Sequence, residues 1–173
     1  MTHLSVNLNK VALLRNQRDC GYPSVLGTAK RVIAAGAHGI TVHPRPDERH
    51  VRKSDVYELA DYLETRPDIE FNIEGYPTHD FLDMVCNVRC HQVTLVPDAP
   101  DQKTSDHGWD IRKHKDFLKD IVARINKAGK RVSLPQRLGR GVSNYIRGHI
   151  SRRPFRCPNI KSHRMPRLRQ GWK

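Results

Sequence analysis

A chain of 173 residues is long enough to bury one ordinary core, and no apolar run in it approaches the roughly 20 residues that a membrane-spanning helix needs. The formal charge of +13 invites a nucleic-acid partner, yet all 18 acidic residues and 20 of the 31 cations precede Pro135, which leaves that stretch close to neutral. The other 11 cations fall in residues 135–173 with no acid among them, so the basicity describes a tail and not the body of the protein.

Residues 1–134 read as strands alternating with helices. "LSVNLNKVALL" opens as a β-rich stretch. "PSVLGTAKRVIAAGAHG" sets Val25, Ala29, Val32 and Ile33 at helical spacing and ends at glycine. "GITV" is a second short strand. "SDVYELADYLETRP" begins at Ser54 as N-cap, carries Val56, Leu59, Ala60 and Leu63 on one face and stops before Pro67. "IEFNIEG" is a third strand, "THDFLDMVCNV" a short helix, "QVTLVPD" a fourth strand, "IRKHKDFLKDIVARINKAG" an amphipathic helix, and "KRVSL" begins a fifth strand. Strands separated by helices at this spacing predict right-handed βαβ units and a parallel sheet.

After Leu134 the periodicity stops. Residues 135–173 hold four prolines, four glycines and no acid to pair their cations, a composition expected to stay disordered. "MTHLSVNLNK" lacks the basic-then-apolar layout of a secretory signal, so a soluble cytoplasmic protein is expected. Cys20, Cys86, Cys90 and Cys157 are neither paired nor dense, which predicts reduced thiols, and Cys86, Cys90 and His91 lack the second pair a metal site needs. His79, His91, His107 and His114 read most simply as surface histidines.

Polar side chains collect where the strands end. The first strand offers Asn7, Asn9 and Lys10, the second His43, Arg45 and His50, the third Glu70, Asn72 and Glu74, and the fourth reaches Asp98 and, through its loop, Thr104. Alternation puts Asn7 and Asn9 on one face, as it does Glu70, Asn72 and Glu74. Each group alone has a plain reading, a strand leaving the core for a solvated loop. Their agreement across successive strands favours a polar-lined site, because catalytic groups sit on strand ends in parallel sheets. Amides, a lysine, arginines and histidines suit an anionic, phosphorylated, hydroxylated substrate, with a carboxylate among them as proton acceptor.

"SVNLNKVALLRNQR", "GITVHPRPDERHVRKSDV", "IEFNIEGYPT", "VTLVPD" and "GWD" resemble, in order and spacing, the amino-terminal half of the pyridoxine 5′-phosphate synthase family over about residues 3–134. The resemblance implies an α/β fold of the (β/α)8 TIM-barrel type, of which residues 1–134 are the first half and residues 135–173 a basic irregular tail. It further implies a homo-octamer that condenses 3-amino-2-oxopropyl phosphate with 1-deoxy-D-xylulose 5-phosphate and needs no metal or organic cofactor. By position, Asn7 and Arg18 resemble contacts to the aminoketone phosphate, with Asn9 and Lys10 beside the pentulose, where some relatives have aspartate and histidine. His43 resembles the family's histidine acid/base, Glu70 its second proton acceptor, Arg45 and His50 its sugar-phosphate contacts, and Thr104 a further substrate contact. The family's second half has no counterpart after "VSL", and Gly148 and His149 are best read as a chance Gly-His pair. The tail is therefore expected to be an out-of-frame translation, leaving a chain inactive alone. A polybasic arm for nucleic acid and a non-catalytic subunit fragment are the alternatives.

Overall fold

The computed structural model describes residues 3–18, 20–98 and 108–135. Thr104, His107, the Gly148–His149 pair and nearly all of the basic tail lie outside the described residues. Five strands, β1 (Ser5–Asn7), β2 (Gly39–Val42), β3 (Glu70–Gly75), β4 (Gln92–Leu95) and β5 (Arg131–Ser133), form one sheet in chain order with every neighbouring pair parallel. Helices α1 (Asn9–Asn16) and α2 (Val25–Ala34) connect β1 to β2, α3 (Lys53–Glu64) connects β2 to β3, α4 (His79–Asn87) β3 to β4, and α5 (Lys115–Lys127) β4 to β5. This is an α/β architecture with a five-stranded parallel sheet, consistent with part of a (β/α) barrel. Among the described residues no helix is long and apolar enough to cross a membrane.

Local chemistry explains most element ends. Ser24 and Thr78 cap α2 and α4, their hydroxyls accepting from Gly27 N (2.9 Å) and Phe81 N (3.2 Å). Two expectations are corrected. The apolar alternation of Leu4, Val6 and Leu8 extends β1 on paper, but Asn7 Oδ1 accepts the Asn9 N–H at 2.8 Å and turns the chain into α1, so Asn9 and Lys10 are helical. Ser54 does not cap α3. That helix starts at Lys53, where Asp55 Oδ2 accepts from Arg52 N and Glu48 Oε1 from Lys53 N, each at 2.8 Å.

The sheet has two unlike faces. Ile40, Val42, Phe71, Ile73, Val93 and Leu95 are completely buried and join one apolar core with helix residues such as Ala29, Leu59, Val85 and Ile125. Each such aliphatic or aromatic side chain contributes about 1.5–3 kcal/mol by leaving water. The alternate positions are polar: Ser5 and Asn7, Thr41 and His43, Glu70, Asn72 and Glu74, Gln92 and Thr94, Arg131 and Ser133. A hydrogen-bonded row crosses four strands on this face. Ser5 Oγ meets Thr41 Oγ1 (2.8 Å), Asn72 Nδ2 donates to Thr41 Oγ1 (3.3 Å), and Asn72 Oδ1 accepts from Thr94 Oγ1 (2.9 Å) and Gln92 Nε2 (3.3 Å). Buried amides and hydroxyls are tolerated because they satisfy one another.

Candidate active site at the carboxyl end of strand β2

His43 follows the last residue of β2 and is 7% exposed. Its backbone N–H donates to Asn9 Oδ1 at 2.9 Å, so the start of α1 pins the point where β2 leaves the sheet. The chain then loops through Pro44 to Val51, two residues that pair again as an isolated parallel bridge. Arg45 points inward, its side chain 4% exposed and its guanidinium 3.7 Å from the Asp98 carboxylate beyond β4 and 3.9 Å from Asp47. The His50 ring returns to within 5.8 Å of the His43 ring, centroid to centroid.

Burial and neighbouring cations set the charge of this cluster. Desolvation, then His50 and Arg45, push the His43 imidazole down from its ordinary 6.5 to about 4. His50 is lowered too, first by burial and then by Arg45, with Lys10 adding to the same effect. Both rings are therefore neutral at pH 7, each with one N–H and one lone-pair nitrogen. His50 Nδ1 accepts the Val51 N–H at 2.9 Å, which leaves the proton of the neutral ring on Nε2. A cationic neighbourhood with neutral imidazoles favours an arriving anion.

The structure brings Asn9, His43, Arg45 and His50 together, with Asn7 and Lys10 exposed beside them. Arg18 is exposed just past α1, its backbone N–H donating to Arg15 O at 3.3 Å. Glu70 lies elsewhere. Register sets it beside Gly39, four residues before His43, which is about 13 Å along the strand. Its carboxylate forms an ion pair with Arg131 at the start of β5. The acid level with His43 on the polar face is Glu74, one position beyond the Val42–Ile73 pair.

Three further placements were not legible beforehand. Arg15, Asn16 and Asp55 surround the loop that carries His50, through contacts spanning 32 to 40 residues. Trp109, buried beyond β4, stacks on Tyr76 at 6.0 Å and donates its indole N–H to Leu95 O at 2.9 Å, sealing the sheet beside the site. His91 is a structural residue and not a surface one: half-buried, it accepts the Phe71 N–H on Nδ1 at 3.0 Å. Nearby, burial raises the Cys90 thiol to about 12, the value of an inert core cysteine. A cavity of about 390 Å³ opens behind the loop between Arg45, Lys53, Tyr76 and Met84, but neither His43 nor His50 lines it.

A family profile described as "Pyridoxal phosphate biosynthesis protein PdxJ" matches residues 4–135. The chain is 57% identical over 132 residues to a pyridoxine 5′-phosphate synthase of Agrobacterium fabrum, covering 76% of this chain and 53% of that protein. It is 57% identical over 134 residues to the enzyme of the same name from Phocaeicola vulgatus, covering 78% and 55%, and 54% identical over 140 residues to that of Brucella suis, covering 79% and 57%. The chain thus spans about half the length of the curated relatives it matches.

Proposed function

The chain belongs to the pyridoxal phosphate biosynthesis protein PdxJ family, and from that premise we propose that it carries the His43-bearing half of a pyridoxine 5′-phosphate synthase site. In this reading the complete site serves vitamin B6 biosynthesis by condensing 3-amino-2-oxopropyl phosphate with 1-deoxy-D-xylulose 5-phosphate, releasing phosphate and water as the pyridine ring closes. The observation that supports it most is His43. Its imidazole is buried at the strand end beside Arg45 and His50 and is neutral at pH 7, and in this reading an anionic substrate that offsets those neighbours raises its basicity toward the working pH, where it exchanges a proton with the substrate.

Arg45 and the His50 Nε2–H supply donors for the sugar phosphate, with Asn9 and Lys10 beside the pentulose. Asn7 and Arg18 face the aminoketone phosphate, and Thr104 serves as a further substrate contact in this reading. Glu70 is the second acceptor, deeper on the same polar face, and its ion pair with Arg131 must open for that step. The five strands continue in this reading into a closed (β/α)8 barrel, a cytoplasmic enzyme that self-associates as an octamer and uses neither metal nor organic cofactor.

Product formation in a host lacking its own synthase tests the reading. The 173-residue chain alone should form no detectable pyridoxine 5′-phosphate, because the described strands build one side of the site. Residues 1–134 joined to the remaining carboxyl-terminal portion of the Agrobacterium fabrum relative should form it. A folded but inactive hybrid would overturn the site assignment, and product from the chain alone would overturn the expected inactivity.

A further inference from the structure

The stretch "LLRN" at the end of α1 has no part in the roles assigned so far, yet two of its side chains reach the loop that presents His50. Asn16 Nδ2 donates to Glu48 O at 3.2 Å and to His50 O at 2.8 Å, and Arg15 Nη2 donates to the same His50 O at 3.2 Å. Arg15 also donates to Asn16 Oδ1 from Nε (3.1 Å) and Nη2 (3.0 Å), which turns the amide so that its NH₂ faces the loop carbonyls. On its other side Arg15 forks onto Asp55, with Nη2 3.0 Å from Oδ2 and Nη1 bonded to Oδ1, while Asp55 Oδ2 accepts the Arg52 N–H. The Arg15 and Asp55 side chains are 11% and 7% exposed, so this fork works out of water, where charge-assisted bonds are strongest.

The gripped loop is strained. Glu48 has φ 49°, a left-handed conformation in a non-glycine residue, and such backbone persists only where its surroundings hold it. Among the described residues it is held by Asn16 on its carbonyl, Arg45 O accepting its N–H at 3.0 Å, and its own carboxylate on Lys53 N. The opposite end of the same helix holds His43 through Asn9 Oδ1. An eight-residue helix is about 12 Å long, so α1 braces the backbone of both histidines, the His43 N–H at its start and the His50 carbonyl at its end.

We propose that Arg15, Asn16 and Asp55 are positioning residues, a clamp that fixes the strained Glu48–His50 loop so that His50 spends Nδ1 on the Val51 amide and presents its Nε2–H to the phosphate of a bound substrate. The phosphate contact rests on the proposed synthase reading; the clamp and the tautomer do not.

Long-range proton–nitrogen spectra of the histidine side chains in the full 173-residue chain test this without requiring turnover. The unaltered chain should show His50 as the Nε2–H tautomer and slow exchange of the Val51 amide. Asn16→Ala should give a mixed His50 tautomer and Val51 exchange about tenfold or more faster, the scale of losing one hydrogen bond, while the His43 tautomer stays unchanged. Arg15→Lys keeps the charge opposite Asp55 but loses the fork, and should loosen Val51 even if Asn16→Ala does not fold. An Nδ1–H tautomer at His50 in the unaltered chain would overturn the proposal. So would an unchanged His50 signal and Val51 exchange in the variants that fold. Failure of the hybrid to make product, with these spectra as expected, would strike the synthase reading and leave the clamp standing.

Discussion

Lowering the pH from 7 to 5 should weaken the fold through His43, and the size of the effect follows from its burial. The unfolded chain binds a proton at this side chain with the ordinary pKa of 6.5, whereas the native chain holds it at about 4. Between those values the unfolded state takes up a proton that the native state refuses, so stability is fully present above pH 6.5 and lost as the pH falls toward 4. Linkage over those two values gives a loss of about 2 kcal/mol between pH 7 and pH 5, approaching about 3 kcal/mol below pH 4. His50 and His91 are also lowered, so the unaltered chain falls by more than this. Comparison with His43→Gln isolates the one residue. Urea unfolding at both pH values should show the variant losing about 2 kcal/mol less than the unaltered chain. Equal losses in the two proteins would mean that His43 titrates alike in the native and unfolded states, and the buried, neutral imidazole would be refuted.

Asn9→Ala removes the acceptor of a part-buried backbone N–H and should cost about 1–3 kcal/mol in denaturant unfolding, while Asn9→Asp keeps an acceptor and should cost less. At Gly75 an added Cβ would lie 2.3 Å from the Phe81 ring, so Gly75→Ala should lower stability by about 1–3 kcal/mol in the same assay. A thiol reagent at pH 8 should modify exposed Cys20 readily and leave Cys90 untouched until the chain unfolds, as mass mapping of the modified peptides would show.

Elements governed by local chemistry were legible in the sequence. The span of α2, with Ser24 before it and Val25, Ala29 and Ile33 buried, follows from spacing alone, as do β2 and the Thr78-capped α4. The polar face was legible for the same reason, since alternation fixes which strand residues share a side. Alternation does not fix register. Glu70, Asn72 and Glu74 look equivalent in the sequence, and only the pairing of Gly39 with Glu70 reveals that Glu74 is the acid level with His43. The start of α1 was hidden because Leu4, Val6 and Leu8 imitate a longer strand, and one side-chain bond from Asn7 overrides them. The bonds from Arg15 and Asn16 to residues 48–55 close over more than 30 positions, and no local pattern announces them.

Turnover in the hybrid of residues 1–134 with the remainder of the Agrobacterium fabrum relative tests the account most directly, with His43→Ala measured beside it. The hybrid should form pyridoxine 5′-phosphate, and His43→Ala should lower kcat by about 10²-fold or more while KM changes less, as expected for removal of a positioned proton acceptor. A folded His43→Ala hybrid turning over at the parent rate would contradict it.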